Sequence, residues 1–123
     1  MYAPFKKNLT LYEGSGFFPE RMRLLTGASR ETMVPADFTG CEARLDVRAD
    51  YDDPAPLLSL STADTTLRLL PDGWIELDPR LAQIVRLEWQ NAVYDLEITH
   101  PGRNRPRRLL MGRVKVSQEA TWP

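Results

Sequence analysis

Hydrophobic and polar positions alternate most cleanly over residues 92–99, Ala-Val-Tyr-Asp-Leu-Glu-Ile-Thr, where Tyr94, Leu96 and Ile98 fall on one side and Asp95, Glu97 and Thr99 on the other. A period of two is that of a β-strand with one buried face. Such a face needs a core, and two further stretches supply it. Residues 41–48 alternate Cys41, Ala43, Leu45 and Val47 with Glu42, Arg44, Asp46 and Arg48, and residues 112–117 alternate Val114 and Val116 with Arg113 and Lys115. These three segments predict an all-β fold.

Shorter elements follow from the same reading. A strand is predicted at 9–12, broken by Glu13-Gly14-Ser15-Gly16, since glycine reaches backbone angles that other residues avoid. Phe17 and Phe18 are expected to plug one end of the core, and residues 21–25 to form a strand with Met22 and Leu24 facing in. Residues 26–36 read as a polar connection. Asp37-Phe38-Thr39-Gly40 leads into the 41–48 strand, which ends at an acidic, proline-containing segment over 50–56. After a strand at 57–61, the runs 66–70 and 74–77 form a hairpin about Pro71-Asp72-Gly73. Asp78-Pro79 is a helix start, with Leu81, Ile84 and Val85 at helical spacing, which predicts one short helical turn near 79–87. Residues 100–107 connect the 92–99 strand to a last one at 108–117. About seven or eight short strands with turn signals between them specify a β-sandwich, with a small β-barrel as the alternative. Residues 1–123 make one domain, and 1–8 and 118–123 are its terminal arms.

Composition narrows the class. A chain of 123 residues with 42% hydrophobic and 27% charged residues has the balance of one globular domain, away from disorder. A single cysteine excludes an intramolecular disulfide, and no charged-then-apolar leader is present, so a protein made and kept in a cytoplasm, or in a particle assembled there, without a secretion signal, is expected. No apolar run is long enough to cross a bilayer, so no membrane partner is expected. The net charge of -1 is unevenly spread: residues 31–64 carry eight acids against two arginines, a net of -6, and residues 101–123 carry six basic residues against Glu119, a net of +5. Two readings stand open, an acidic and a basic surface kept apart, or mutual neutralisation across one sheet.

Chemistry-bearing residues are sparse. Asp50, Asp52 and Asp53 offer oxygens to calcium, but without the glycine and distal glutamate of an EF-hand loop they read as a solvated turn. His100, the one histidine, reads as a loop residue. Cys41, on the apolar side of its strand, reads as a small hydrophobe. No nucleotide-binding or nucleophile-elbow motif occurs, so no catalytic, cofactor-binding or metal site is expected and the protein is read as a non-enzyme. Arg103, Arg105, Arg107 and Arg108 form the one concentrated basic patch. They are protein-interface candidates together with the arm residues Tyr2, Phe5 and Trp122. The same arginines carry the alternative of nucleic-acid binding, against which stand a pI of about 5.8 and the lack of interleaved aromatics. Trp74, Trp89 and Trp122 motivate a second alternative, a carbohydrate-binding sandwich.

The stretch at 92–99 containing Tyr94-Asp95-Leu96-Glu97, the following 108–117 with its Leu-Leu-x-Gly-x-Val-x-Val order, a closing Thr121 and the upstream Asp37-Phe38-Thr39-Gly40 together resemble small structural proteins of tailed bacteriophages. The resemblance covers residues 37–121. It implies an immunoglobulin-like module of the kind found in tail, baseplate and fibre-attachment proteins, including the N-terminal domain of baseplate upper proteins. It also implies scaffolding without catalytic residues, a place in the virion, and partners among other virion proteins. The charge split in turn predicts several copies of the chain in a ring or repeated arrangement, with contacts that are head-to-tail or made to a different protein.

Overall fold

The computed structural model describes residues 5–118. Twelve strands run in chain order: β1 (Phe5–Lys6), β2 (Leu9–Tyr12), β3 (Gly16–Phe18), β4 (Arg21–Arg23), β5 (Leu25–Thr26), β6 (Val34–Pro35), β7 (Glu42–Arg48), β8 (Leu58–Ser61), β9 (Leu67–Leu69), β10 (Trp74–Leu77), β11 (Asn91–Thr99) and β12 (Arg107–Ser117). The fold is all-β. The main sheet has the order β3-β2-β12-β11-β7-β8, with β1 also on β12, and a smaller sheet has the order β4-β10-β9. One core unites them: Leu11, Leu45, Leu60, Tyr94, Leu96 and Val114 from the large sheet meet Leu67, Ile75 and Leu77 from the small one. Near the N-terminus β1 and β2 pair in parallel with the last strand β12, β12-β11-β7 is antiparallel, and β4, β10 and β9 form the second sheet. Two sheets about one core are consistent with a β-sandwich or a small barrel. Among the described residues no helix is long and apolar enough to cross a membrane.

The alternation in β11 is realised residue by residue: Ala92, Tyr94, Leu96 and Ile98 are buried, and the residues between them half-buried. β12 departs from strict alternation because Leu109 and Leu110 are both buried. A bulge explains this. Leu96 pairs with Leu110 but Glu97 pairs with Arg108, so Leu109 is the extra residue on β12 and the side-chain parity changes there. As a result Arg108 lies across from Glu97, on the outer face.

Several expectations are corrected. Phe17 is buried but Phe18 is 65% exposed, because consecutive strand residues point to opposite faces, so only Phe17 plugs the core. The one short helical turn expected near 79–87 is present as a 3-10 turn at Leu81–Gln83, though with Leu81 exposed. Asp78 is not its cap, since its carboxylate pairs with Arg68 at 2.8 Å. The turn cannot lengthen because its backbone groups are taken by the hairpin at 13–16: Gly14 N–H donates to the Ile84 carbonyl at 2.8 Å, and Leu87 N–H to the buried Glu13 carboxylate at 2.8 Å. Residues 26–36 are more than a polar connection, since β5 and β6 form a two-stranded ribbon that exposes Met33 and Val34.

The described part of the N-terminal arm is docked on its own domain. β1 pairs in parallel with Leu110 and Met111. The chain then steps over β12 at Lys7 and Asn8: Lys7 N–H donates to the Met111 carbonyl at 2.8 Å, and the Asn8 side-chain oxygen accepts from Arg113 N–H at 3.1 Å. Gly112 makes the crossing possible, since a Cβ there would run into the Lys7 carbonyl. That carbonyl accepts the hydroxyl of Tyr94, the residue opposite Gly112, at 2.6 Å. Burial, with Tyr51 nearby as a second cause, pushes the Tyr94 phenol well above its usual range.

Candidate functional site

Among the described interface candidates, Phe5 registers with Leu110 on β12, two residues past Arg108, and the arginines lie on the 100–106 loop or at the start of β12. Tyr2 and Trp122 lie outside the described residues, as does the second arm beyond Gln118. Phe5 is 45% exposed on β1. The basic loop at 100–106 joins β11 to β12. Arg103 and Arg105, with Arg107 at its far end, are exposed and have no ion-pair partner among the described residues. Arg108 differs from them. Its Nε lies 3.3 Å from Asp95 and its guanidinium sits 5.9 Å from the centre of the Tyr51 ring, both outcomes of the bulge that turns it onto the outer face.

The loop borders a small cleft lined by Asp37, Thr39, Cys41, His100, Pro101, Arg103 and Arg107, with a volume of about 390 Å³. β7 and β11 close with Glu42 across from Thr99, so the residues just beyond, Cys41 and His100, face one another. Their Sγ and Nδ1 are 3.4 Å apart. Burial, then the negative charge of Asp37, pushes the Cys41 thiol up. It is therefore a protonated thiol at neutral pH, within hydrogen-bonding reach of the His100 ring nitrogen. Asp37 accepts both the backbone N–H (3.0 Å) and the hydroxyl (2.6 Å) of Thr39, and these bonds hold its carboxyl below the usual range. The cleft thus offers a hydrogen-bonded thiol and imidazole between one carboxylate and two guanidinium groups. A protonated thiol suits a polar contact better than nucleophilic attack. Among the described residues no group of three histidine, cysteine or acidic side chains is placed to hold a metal ion. The pairing of Cys41 with His100 is missed by a sequence reading because the two stand 59 residues apart. The strand register that joins them is the signal that would have found it.

The acidic turn after β7 is arranged differently. Asp50 accepts Tyr51 N–H at 2.7 Å, Asp53 accepts Ala55 N–H at 3.0 Å, and Arg48 donates to the Asp53 carbonyl at 3.0 Å. Tyr51 folds back over the outer face, its hydroxyl 3.3 Å from the carbonyls of Tyr94 and of Gly112. On the same face Asp46 receives the Ser59 hydroxyl at 2.7 Å, Arg44 at 2.9 Å and Arg48 at 3.1 Å. Burial pushes the Asp46 carboxyl up, but these partners outweigh it and hold the group below the usual range. The charge split therefore resolves into two behaviours. Strand charges neutralise within β7 and between β11 and β12, whereas the two loops stay at opposite ends of β11: Arg48 pairs with Val93 near its start, and Arg107 with Ile98 near its end.

The tryptophans do not gather into a platform among the described residues. Trp89 packs partly buried against the core, and Trp74, 37% exposed, sits under the Arg23 guanidinium at 5.7 Å. Comparison with known proteins finds no family model, no curated protein and no solved structure that matches the chain.

Proposed function

We propose that the protein is a non-enzymatic structural component of a tailed-bacteriophage particle, joining other tail, baseplate or fibre-attachment proteins through sheet edges, loops and terminal segments. The observation that carries this reading is where the resembling motifs fall. Asp37 to Gly40 leads the chain into β7, Tyr94 to Glu97 lies in β11, and the Leu-Leu-x-Gly-x-Val-x-Val run lies in β12, so the motifs fall on or beside three strands that are neighbours in the main sheet. Around that centre, Arg103, Arg105 and Arg107 are exposed without ion-pair partners among the described residues, which supports a partner on the β11–β12 loop. The test is protein analysis of gradient-purified phage particles from cells that make the chain. The chain is expected in fixed ratio to the tail proteins, and its presence only in the soluble lysate would overturn the reading.

The same arginines favour one other reading, nucleic-acid binding. Since Arg108 is held by Asp95 and Tyr51, three arginines remain for phosphates, and log affinity should fall with log salt with a slope of about -3 if all three engage duplex DNA. Binding with such a slope, abolished by neutralising Arg103, Arg105 and Arg107, would put this reading first.

A further inference from the structure

We propose that β3 is a docking edge that accepts an extended, acidic segment of a partner protein as an added strand. The inference rests on the assembly reading for its setting and names the chemistry of one contact within it. The two edges of the main sheet differ. At the β8 edge, Gln83 Nε2 donates to the Ser59 carbonyl at 3.0 Å and Ser61 N–H donates to the Thr66 hydroxyl at 3.0 Å, so two outward backbone groups are already engaged by side chains. At the other edge β3 pairs only with β2, and on its far side none of its backbone groups has a hydrogen-bond partner among the described residues. β3 is three residues long and is followed by Pro19, so an added strand would gain few backbone bonds there and the side chains beside the edge would carry much of the affinity and selectivity.

The side chains beside the edge define the occupant. Register places Lys115, Thr10 and Phe18 in one row across the outer face, and Ser117, Tyr12 and Gly16 in the next. Phe18 is 65% and Tyr12 46% exposed, which gives an added strand an aromatic surface to cover. On the same face of β12, Arg113 and Lys115 are exposed, and neither is ion-paired among the described residues. Glu13, the acidic residue at the β2–β3 turn, is buried with one oxygen on Leu87 N–H, whereas Glu20, two residues beyond Phe18, is exposed. An aromatic edge with two cations on the same face fits a strand of apolar and acidic residues better than a basic one.

The probe is a capped synthetic peptide of alternating valine and glutamate, compared with its lysine-for-glutamate counterpart, followed by amide hydrogen exchange and chemical-shift titration. The acidic peptide should slow exchange within Gly16–Phe18. Phe18→Ser, a surface change expected to leave the melting temperature in place, and the pair Arg113→Glu with Lys115→Glu should each weaken binding about tenfold. No binding, equal binding by the Phe18→Ser variant, equal binding of the basic peptide, or protection at β8 or the 100–106 loop would each overturn the proposal. So would self-association of the free protein that Phe18→Ser abolishes, since a second copy would then be the occupant. Particles that take up the Phe18→Ser variant as readily as the parent chain would remove this edge while leaving the assembly reading intact.

Discussion

The two ends of β11 are built from similar material and put to different use. At its start, the turn after β7 carries Asp50, Asp52 and Asp53, and two of these carboxylates bond nearby backbone amides while Tyr51 ties the segment back onto β11 and β12. At its end, the loop before β12 carries Arg103 and Arg105, and with Arg107 these make no ion pair among the described residues. Clustered charge is thus no guide to role by itself. One cluster organises the chain that bears it, and the other is presented outward.

Breaking the strand between the two ends has the largest effect. Leu96 is fully buried at the middle of β11, and Leu96→Ala should cost on the order of 2–5 kcal/mol in denaturant unfolding. Gly112→Ala comes next, because its Cβ would displace the Lys7 carbonyl. A loss of about 1–3 kcal/mol is expected, with faster exchange at the Lys7 amide as the local signature.

Smaller changes separate the two ends. Tyr51→Phe removes the hydroxyl that pins the acidic turn and should cost about 0.5–1.5 kcal/mol, with the turn amides exchanging faster and the arginine loop unaffected. Asp46 tests the outer face by pH. Its folded-state pKa is depressed, so the stability it contributes is present above the unfolded carboxylate value near 4 and is lost as pH falls through the lower folded value. In acid titration of stability, Asp46→Asn should flatten the curve below about pH 4 and leave its shape at neutral pH unchanged.

The central strands were legible in the sequence because a period of two survives wherever one face is buried. Tyr94, Leu96 and Ile98, with Leu45, Val47, Val114 and Val116, all lie in the core. The hairpin about Pro71-Asp72-Gly73 was legible for a different reason, since proline and glycine set a turn locally, and β9 and β10 pair across it. What escaped depends on partners distant in sequence. The helical spacing of Leu81, Ile84 and Val85 was overridden by Glu13 and Gly14, about seventy residues upstream, which claim the amide and carbonyl of that segment. Phe5 and Lys6 show no period, yet they pair with β12 because Gly112 leaves room for the crossing. The cleft joining Cys41 to His100 required the register of β7 on β11, and the placing of Arg108 on the outer face required the bulge at Leu109. Neither is written in local composition.

The most direct measurement pairs stability with particle uptake for the chain bearing Arg103→Ala, Arg105→Ala and Arg107→Ala, co-expressed with the parent chain during phage production. The three side chains are exposed and without ion-pair partners among the described residues, so the variant should melt within about 0.5 kcal/mol of the parent while being strongly depleted from purified particles. Equal uptake of the two chains, at equal stability, would contradict the claim that this loop is presented to a partner in the particle.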